Sequence, residues 1–248
     1  MHVLNREELV TIPNVNDLWN QLASRASIML SDAQHQSLSQ YLALLLDANQ
    51  RMNLTRITDR TAAEVQHVGD ALTLLPFLPS GPIQVADIGS GGGVPGIPLA
   101  IARPDARFTL VESTQKKAKY LLDAVKQLNL TNVTVSSTRA EELARTNQRE
   151  SFDVVTARAV GALVWLAEWC LPLCKKSGKV LAMKGAKIQE ELPAAIKAIH
   201  LLGGGDPIVH PVQFPGAEHH VIVEIPKTGP TDPKYPRDPT ATRGKPIA

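Results

Sequence analysis

The stretch Asp87-Ile88-Gly89-Ser90-Gly91-Gly92-Gly93-Val94-Pro95-Gly96 concentrates glycine at the end of an apolar, strand-like run. Glycine admits positive φ and lets a backbone approach a ligand closely, and a helix N-terminus after such a bend favours negative charge. The chemistry on offer is therefore the grip of a nucleotide-like ligand by backbone amides. Gly91, Gly93 and Gly96 also spell G-x-G-x-x-G, a dinucleotide fingerprint that is weak when taken alone. Register argues against it. In a dinucleotide fold the first glycine directly follows the strand, and here that residue is Gly89.

Counted from Gly89, the loop reads Gly89-x-Gly91-x-Gly93 with Asp87 two residues ahead, which is the strand-end pattern of class I S-adenosylmethionine methyltransferases. Asp87 would repel a pyrophosphate; it suits an ammonium and a sulfonium, directly or through water. Glu112 ends the next strand-like run, 23 residues after Gly89. A carboxylate there can accept hydrogen bonds from both hydroxyls of an adenosine ribose; the alternative is a solvated strand-end charge. Arg139-Ala140-Glu141-Glu142 follows the third strand. It reads either as an adenine-edge contact, through a backbone N–H and a carboxylate, or as a helix cap with acidic first-turn residues. Arg158 closes the fourth strand, on the crevice side of such a sheet, where a guanidinium can pair with a cofactor carboxylate or an RNA phosphate. Its bland reading is a surface ion pair. His67 and Asp70, three residues apart, read as a packing or capping pair on one helical face, and His219-His220 as structural or exposed.

The elements that must position these groups fall into three stretches. Residues 1–80 are a helical extension: Ser31-Asp32 is a plausible N-cap, Leu38, Tyr41, Leu42, Leu45 and Leu46 follow at helical spacing, Asn53-Leu54-Thr55 is a turn, and a second helix is predicted over 61–75. Residues 81–226 alternate strand and helix. Strands are predicted at 83–88, 108–112, 133–136, 152–157 and 179–183, with helices at 97–102, 116–128, 140–145, 162–174 and 189–201. That alternation implies a mostly parallel, doubly wound sheet. His210–Phe214 and His219–Ile225 are expected to add an antiparallel hairpin. Residues 227–248 form a Pro-rich basic tail, with Lys227, Lys234, Arg237, Arg243 and Lys245 against Asp232 and Asp238.

The glycine loop through Leu99, Val111-Glu112-Ser113, Arg139-Ala140-Glu141 and Asp153-Val154-Val155-Thr156-Ala157-Arg158-Ala159 together closely resemble the RsmG (GidB) family of bacterial small-subunit ribosomal RNA guanine-N7 methyltransferases. Asn53-Leu54-Thr55, His67-x-x-Asp70, Met183-Lys184-Gly185 and Lys234-Tyr235-Pro236-Arg237 with Gly244-Lys245-Pro246-Ile247 match it too. The resemblance runs from about residue 35 to the C-terminus; Val94 stands where the family often has an aromatic, and Ala71 where it often has Ser. It implies a class I, Rossmann-like α/β methyltransferase using S-adenosyl-L-methionine on 16S ribosomal RNA in the small subunit. Gly89 and Val94 are then expected at the methionine and adenosine portions, with Ser90, Gly91 and Gly93 shaping the loop. Glu112, Ser113 and Thr114 fall at the ribose, and Ala140 and Glu141 at the adenine. Arg158, Asn53 and Lys184 are assigned to the catalytic end. Guanine N7 carries a free in-plane lone pair, so no side chain has to remove a proton, and kcat is expected to be nearly flat from about pH 6 to 9.

Composition narrows the remaining readings. A net charge of +2 excludes a protein that coats nucleic acid by bulk charge, and 4% aromatic residues disfavour a base-stacking sheet. The basic tail, Lys184, Lys187, Arg51 and Arg56 are the candidate phosphate contacts. Cys170 and Cys174 are too few for a zinc site or a disulfide framework and are expected as reduced thiols on one helical face, with no metal. The absence of a signal-like start and of a long apolar run gives a cytoplasmic, non-membrane expectation, with nothing requiring an oligomer. The alternatives are a methyltransferase acting on a small molecule or protein, a dinucleotide-dependent oxidoreductase, and a non-catalytic cofactor-sensing protein on the ribosome.

Overall fold

The computed structural model describes residues 14–213, 219–238 and 245–247. Its first elements are α1 (Val15–Ser24) and α2 (Asp32–Met52). Ser31 starts α2 with a capping box: its hydroxyl accepts the Gln34 N–H, and the Gln34 side chain accepts the Ser31 N–H. The helix stops at Asn53, which takes the left-handed conformation with φ of 50°. The single helix expected over 61–75 is instead composite: α3 (Arg60–Ala63), a π-helical turn over Glu64–Gly69, α4 (Asp70–Leu72) and a short 3-10 turn at Leu75–Phe77. The wider turn changes the side-chain register, with consequences at the site.

The sheet contains β1 (Gln84–Ile88), β2 (Arg107–Val111), β3 (Val133–Ser136), β4 (Phe152–Arg158), β5 (Cys174–Lys184), β6 (Ile208–Pro211) and β7 (Val221–Pro226). Their order is β3-β2-β1-β4-β5-β7-β6; β1 to β5 run parallel, and β7 lies antiparallel to both β5 and β6. The helices α5 (Gly96–Ala102), α6 (Gln115–Gln127), α7 (Ala140–Leu143), α8 (Leu163–Cys170) and α9 (Ile188–Leu201) connect the strands. Chain order reverses between β1 and β4, so the crevice at their carboxyl ends is where a ligand is accommodated. Two apolar clusters cover the sheet. In one, Trp19, Tyr41, Leu42 and Leu45 of the helical extension join Val85, Ile97, Leu110 and Leu121; in the other, Val155, Leu166, Val180 and Ile199 pack together.

Two expectations need correction. The apolar run 162–174 is not one helix: α8 ends at Cys170, and Cys174 opens β5, so the thiols sit on different elements. A continuous apolar run cannot distinguish a buried helix from a buried strand by periodicity. Both cysteines are free and buried, and burial pushes the Cys174 thiol up to about 12. Residues 227–238 of the tail lie as a strap against the body of the fold. Lys227 is 1% exposed, and its ammonium donates to the Leu171 and Leu202 carbonyls, at the ends of α8 and α9, at 2.9 and 3.0 Å. Glu150 lies 3.3 Å away. A cation there meets the negative ends of two helices. Arg149 donates to the carbonyls of Thr231, Asp232 and Tyr235, and Arg237 forks onto buried Glu168 at 2.7 and 2.8 Å. Arg237 therefore has a carboxylate partner within the fold, and the described part of the strap ties to the ends of α8 and α9. Arg243, Gly244 and Phe214 lie outside the described residues.

Candidate functional site

The bend after β1 is held by its own hydrogen bonds. Gly89 and Ser90 donate to the Val111 carbonyl at 2.8 and 3.1 Å, and the Ser90 hydroxyl donates to the Asp87 carbonyl at 2.8 Å. Gly89, Gly91 and Gly93 have φ of 68°, 54° and 93°, which L side chains rarely adopt. A Cβ on Gly89 would stand 2.8 Å from Val160, and one on Gly93 2.5 Å from Ile97. Asp87 does not face the crevice as expected. It is 1% exposed and accepts from the Gly96 N–H at 3.2 Å and the Thr156 hydroxyl at 3.2 Å, because its place on β1 points it toward the start of α5. Burial pushes its carboxyl up to about 6, opposed by the Ser90, Gly96 and Thr156 hydrogen bonds and the Arg158 charge.

A cleft of about 1170 Å³ opens over this bend. Its floor is Gly89, Ser90, Gly91, Gly92 and Val94; its roof is the end of α2 and the following turn, including Leu45, Asn49, Asn53 and Thr55; its inner end is His67, Arg158 and Ala159. The helical extension thus supplies a wall of the site, and Tyr41 stitches it down by donating to the Gly92 carbonyl at 3.0 Å. Nothing in the sequence separated Tyr41 from its apolar stripe.

The π-turn sends His67 and Asp70 to different neighbours. His67 Nε2 lies 3.0 Å from the Thr55 hydroxyl at the cleft, and burial, with the Arg158 charge, pushes its imidazole down to about 4. Asp70 is 2% exposed; one oxygen lies 3.3 Å from Arg158 Nε and the other 3.1 Å from His220 Nδ1. The pair expected on one helical face is two separate anchors, and His220 is a partner of Asp70. Arg158 keeps one guanidinium nitrogen, Nη1, buried without a hydrogen-bond partner. A carboxylate that fixes a guanidinium while leaving a donor free pre-orients it for an anionic or acceptor group.

The family model for rRNA small subunit methyltransferase G (GidB) matches residues 34–219. The chain belongs to that family. It is 43% identical to Ribosomal RNA small subunit methyltransferase G of Roseiflexus sp. (strain RS-1), over 93% of this chain and 99% of the relative. It is 53% identical to the protein of the same name from Sorangium cellulosum (strain So ce56), over 64% and 67% of the two chains. The solved structure of M. jannaschii TYW2 in complex with AdoMet shares the fold, with a TM-score of 0.51 and 18% identity over 71% of this chain and 81% of that one.

Within this methyltransferase G fold, the residues singled out in the sequence divide into groups. Asn53, Gly89, Ser90, Gly91, Val94 and Arg158 meet at the cleft. Gly93 turns inward against α5 and α6. Glu112 lies beside the bend and is buried, accepting the Gly91 N–H at 3.0 Å and the Thr114 N–H at 2.7 Å. A carboxylate offers about four acceptor positions, so two remain. Ser113 and Thr114 are exposed at the β2 end, and Ala140 and Glu141 are buried on α7, after the neighbouring strand β3. Lys184 is not a free cation: it donates to the Gly161 carbonyl at 2.8 Å and pairs with Glu191 at 2.7 Å. Arg51 is paired with Asp47 along α2. Among the described residues no metal-binding cluster occurs, and no helix is long and apolar enough to cross a membrane.

Proposed function

We propose that this protein transfers a methyl group from S-adenosylmethionine to N7 of a guanine in 16S ribosomal RNA, acting as a cytoplasmic monomer. The observation that carries the reading is the pairing of a three-fold left-handed glycine bend with Glu112 at the adjacent strand end and Arg158 across the cleft. The residues fit the cofactor. Gly89, Gly91 and Gly92 bring bare backbone to the cleft, two acceptor positions of Glu112 suit ribose hydroxyls, and the unbonded Arg158 Nη1 suits a carboxylate. When bound, S-adenosylmethionine supplies a methyl group activated by its attachment to a positive sulfonium. Ser113, Thr114, Ala140 and Glu141 are assigned to the nucleoside end, Ser90 and Gly91 to the methionine end, and Gly89 and Val94 to the methionine and adenosine portions. Gly93 and Asp87 set the shape of the bend, while Asn53 and Lys184 belong to the RNA side.

The protein's own part is orientation. Alignment of two reactants supplies about 7–11 kcal/mol without acid–base chemistry. Burial pushes the His67 imidazole down to about 4, which makes it a weak proton acceptor and agrees with a nucleophile that needs no deprotonation. Incubation with labelled cofactor and small subunits lacking the modification, followed by cleavage at 7-methylguanosine, tests the reading. Label on a single guanine is the expected result. Label on another base, or transfer only to a protein or small molecule, would refute it.

A further inference from the structure

A second cavity, of about 390 Å³, begins where the first ends; the two share Arg158 and Ala159. We propose that it receives the acceptor nucleotide, base inward and phosphate at its mouth, which rests on the reading of the larger cleft as the donor site. Three observations argue for it. First, its interior is charge-balanced: Arg158 is paired with Asp70, and Lys184 with Glu191. A neutral heterocycle enters such a space without stranding a buried charge.

Second, apolar surface is available for a flat ring. Met183, at the end of β5 and 7% exposed, lies in the lining with Ala159 and Val221. Third, Lys187 lies exposed on the lining, one residue before α9, in place to meet a phosphate of the chain that carries the base. A volume of this size falls in the usual range for small-ligand sites, roughly 300–1,000 Å³. The Asp70 anchor thereby gains a purpose: it fixes Arg158 at the junction of the two cavities from the helical extension, and His220 from the hairpin side.

Gly185 gives the test. It lines the cavity, and a Cβ there would meet nothing within 4 Å, so a larger side chain can start from this position without a clash at its root. Gly185→Trp should lower kcat/KM for methyl transfer to unmodified small subunits by about 100-fold or more, while affinity for S-adenosylhomocysteine by calorimetry stays within about twofold. Lys187→Glu should raise KM for the subunit about tenfold at unchanged kcat. Wild-type turnover by Gly185→Trp, or loss of S-adenosylhomocysteine binding together with turnover in a folded variant, overturns the proposal. If Gly185→Trp does not fold, Lys187→Glu decides, and an unchanged KM overturns it. A wild-type protein that binds S-adenosylhomocysteine but transfers nothing to subunits instead overturns the underlying reading of the donor cleft.

Discussion

Asp87 and His67 are two buried titratable groups whose environments push them in opposite senses. The Asp87 carboxyl is raised from 3.8 to about 6 and the His67 imidazole lowered from 6.5 to about 4, each chiefly by burial. Linkage gives the signs. His67 contributes stability that is present above its unfolded value and lost as pH falls toward 4. Asp87 contributes stability that is present below its unfolded value and lost as pH rises toward 6. Each shift corresponds to about 3 kcal/mol, so between about pH 4 and 6 the two largely offset one another. His67→Gln should therefore unmask stability that falls with rising pH in this window, and Asp87→Asn stability that rises. Urea midpoints at several pH values read both slopes, and slopes of equal sign would refute the assignment. Glu112 carries a ligand prediction. Glu112→Gln keeps the side chain's shape but weakens its acceptors, and S-adenosylhomocysteine affinity should fall about 10- to 100-fold in calorimetry. Wild-type affinity would remove Glu112 from the nucleoside site.

The glycine bend and the C-terminal strap behave as units. Gly93→Ala puts a side chain at a φ of 93° with its Cβ 2.5 Å from the tip of Ile97, so it should cost about 1–3 kcal/mol and weaken cofactor binding, because the left-handed bend is strained and Ile97 must move aside. The strap is stabilising but remote. Lys227→Met leaves the carbonyls closing α8 and α9 and the Glu150 carboxylate without their cation, at a cost of about 2–3 kcal/mol. Chemical denaturation should show a lower midpoint at unchanged slope, and calorimetry an unchanged affinity for S-adenosylhomocysteine. Joint loss would mean that the strap also shapes the cleft.

Across the whole molecule, the helical extension and the sheet share one apolar cluster, in which Trp19 and Leu45 lie with Val85 and Leu110. One cooperative unfolding transition is expected. A variant with Trp165→Phe and Trp169→Phe leaves Trp19 as the sole tryptophan reporter. Its fluorescence should follow far-UV circular dichroism through a single coincident midpoint, whereas an earlier Trp19 transition would show an extension that unfolds by itself. The sequence by itself determined the strand–helix alternation, the glycine bend and the acidic strand end, because these depend on local periodicity and on glycine's freedom at positive φ. It did not determine the π-turn that separates His67 from Asp70, the break between Cys170 and Cys174, the inward turn of Asp87, or the pairing of Lys184, Lys227 and Arg237 with carboxylates. Those were decided by tertiary structure, since whether a charge reaches solvent, a ligand or a buried partner depends on residues as far as 150 positions away or more, as Asp70 and His220 are.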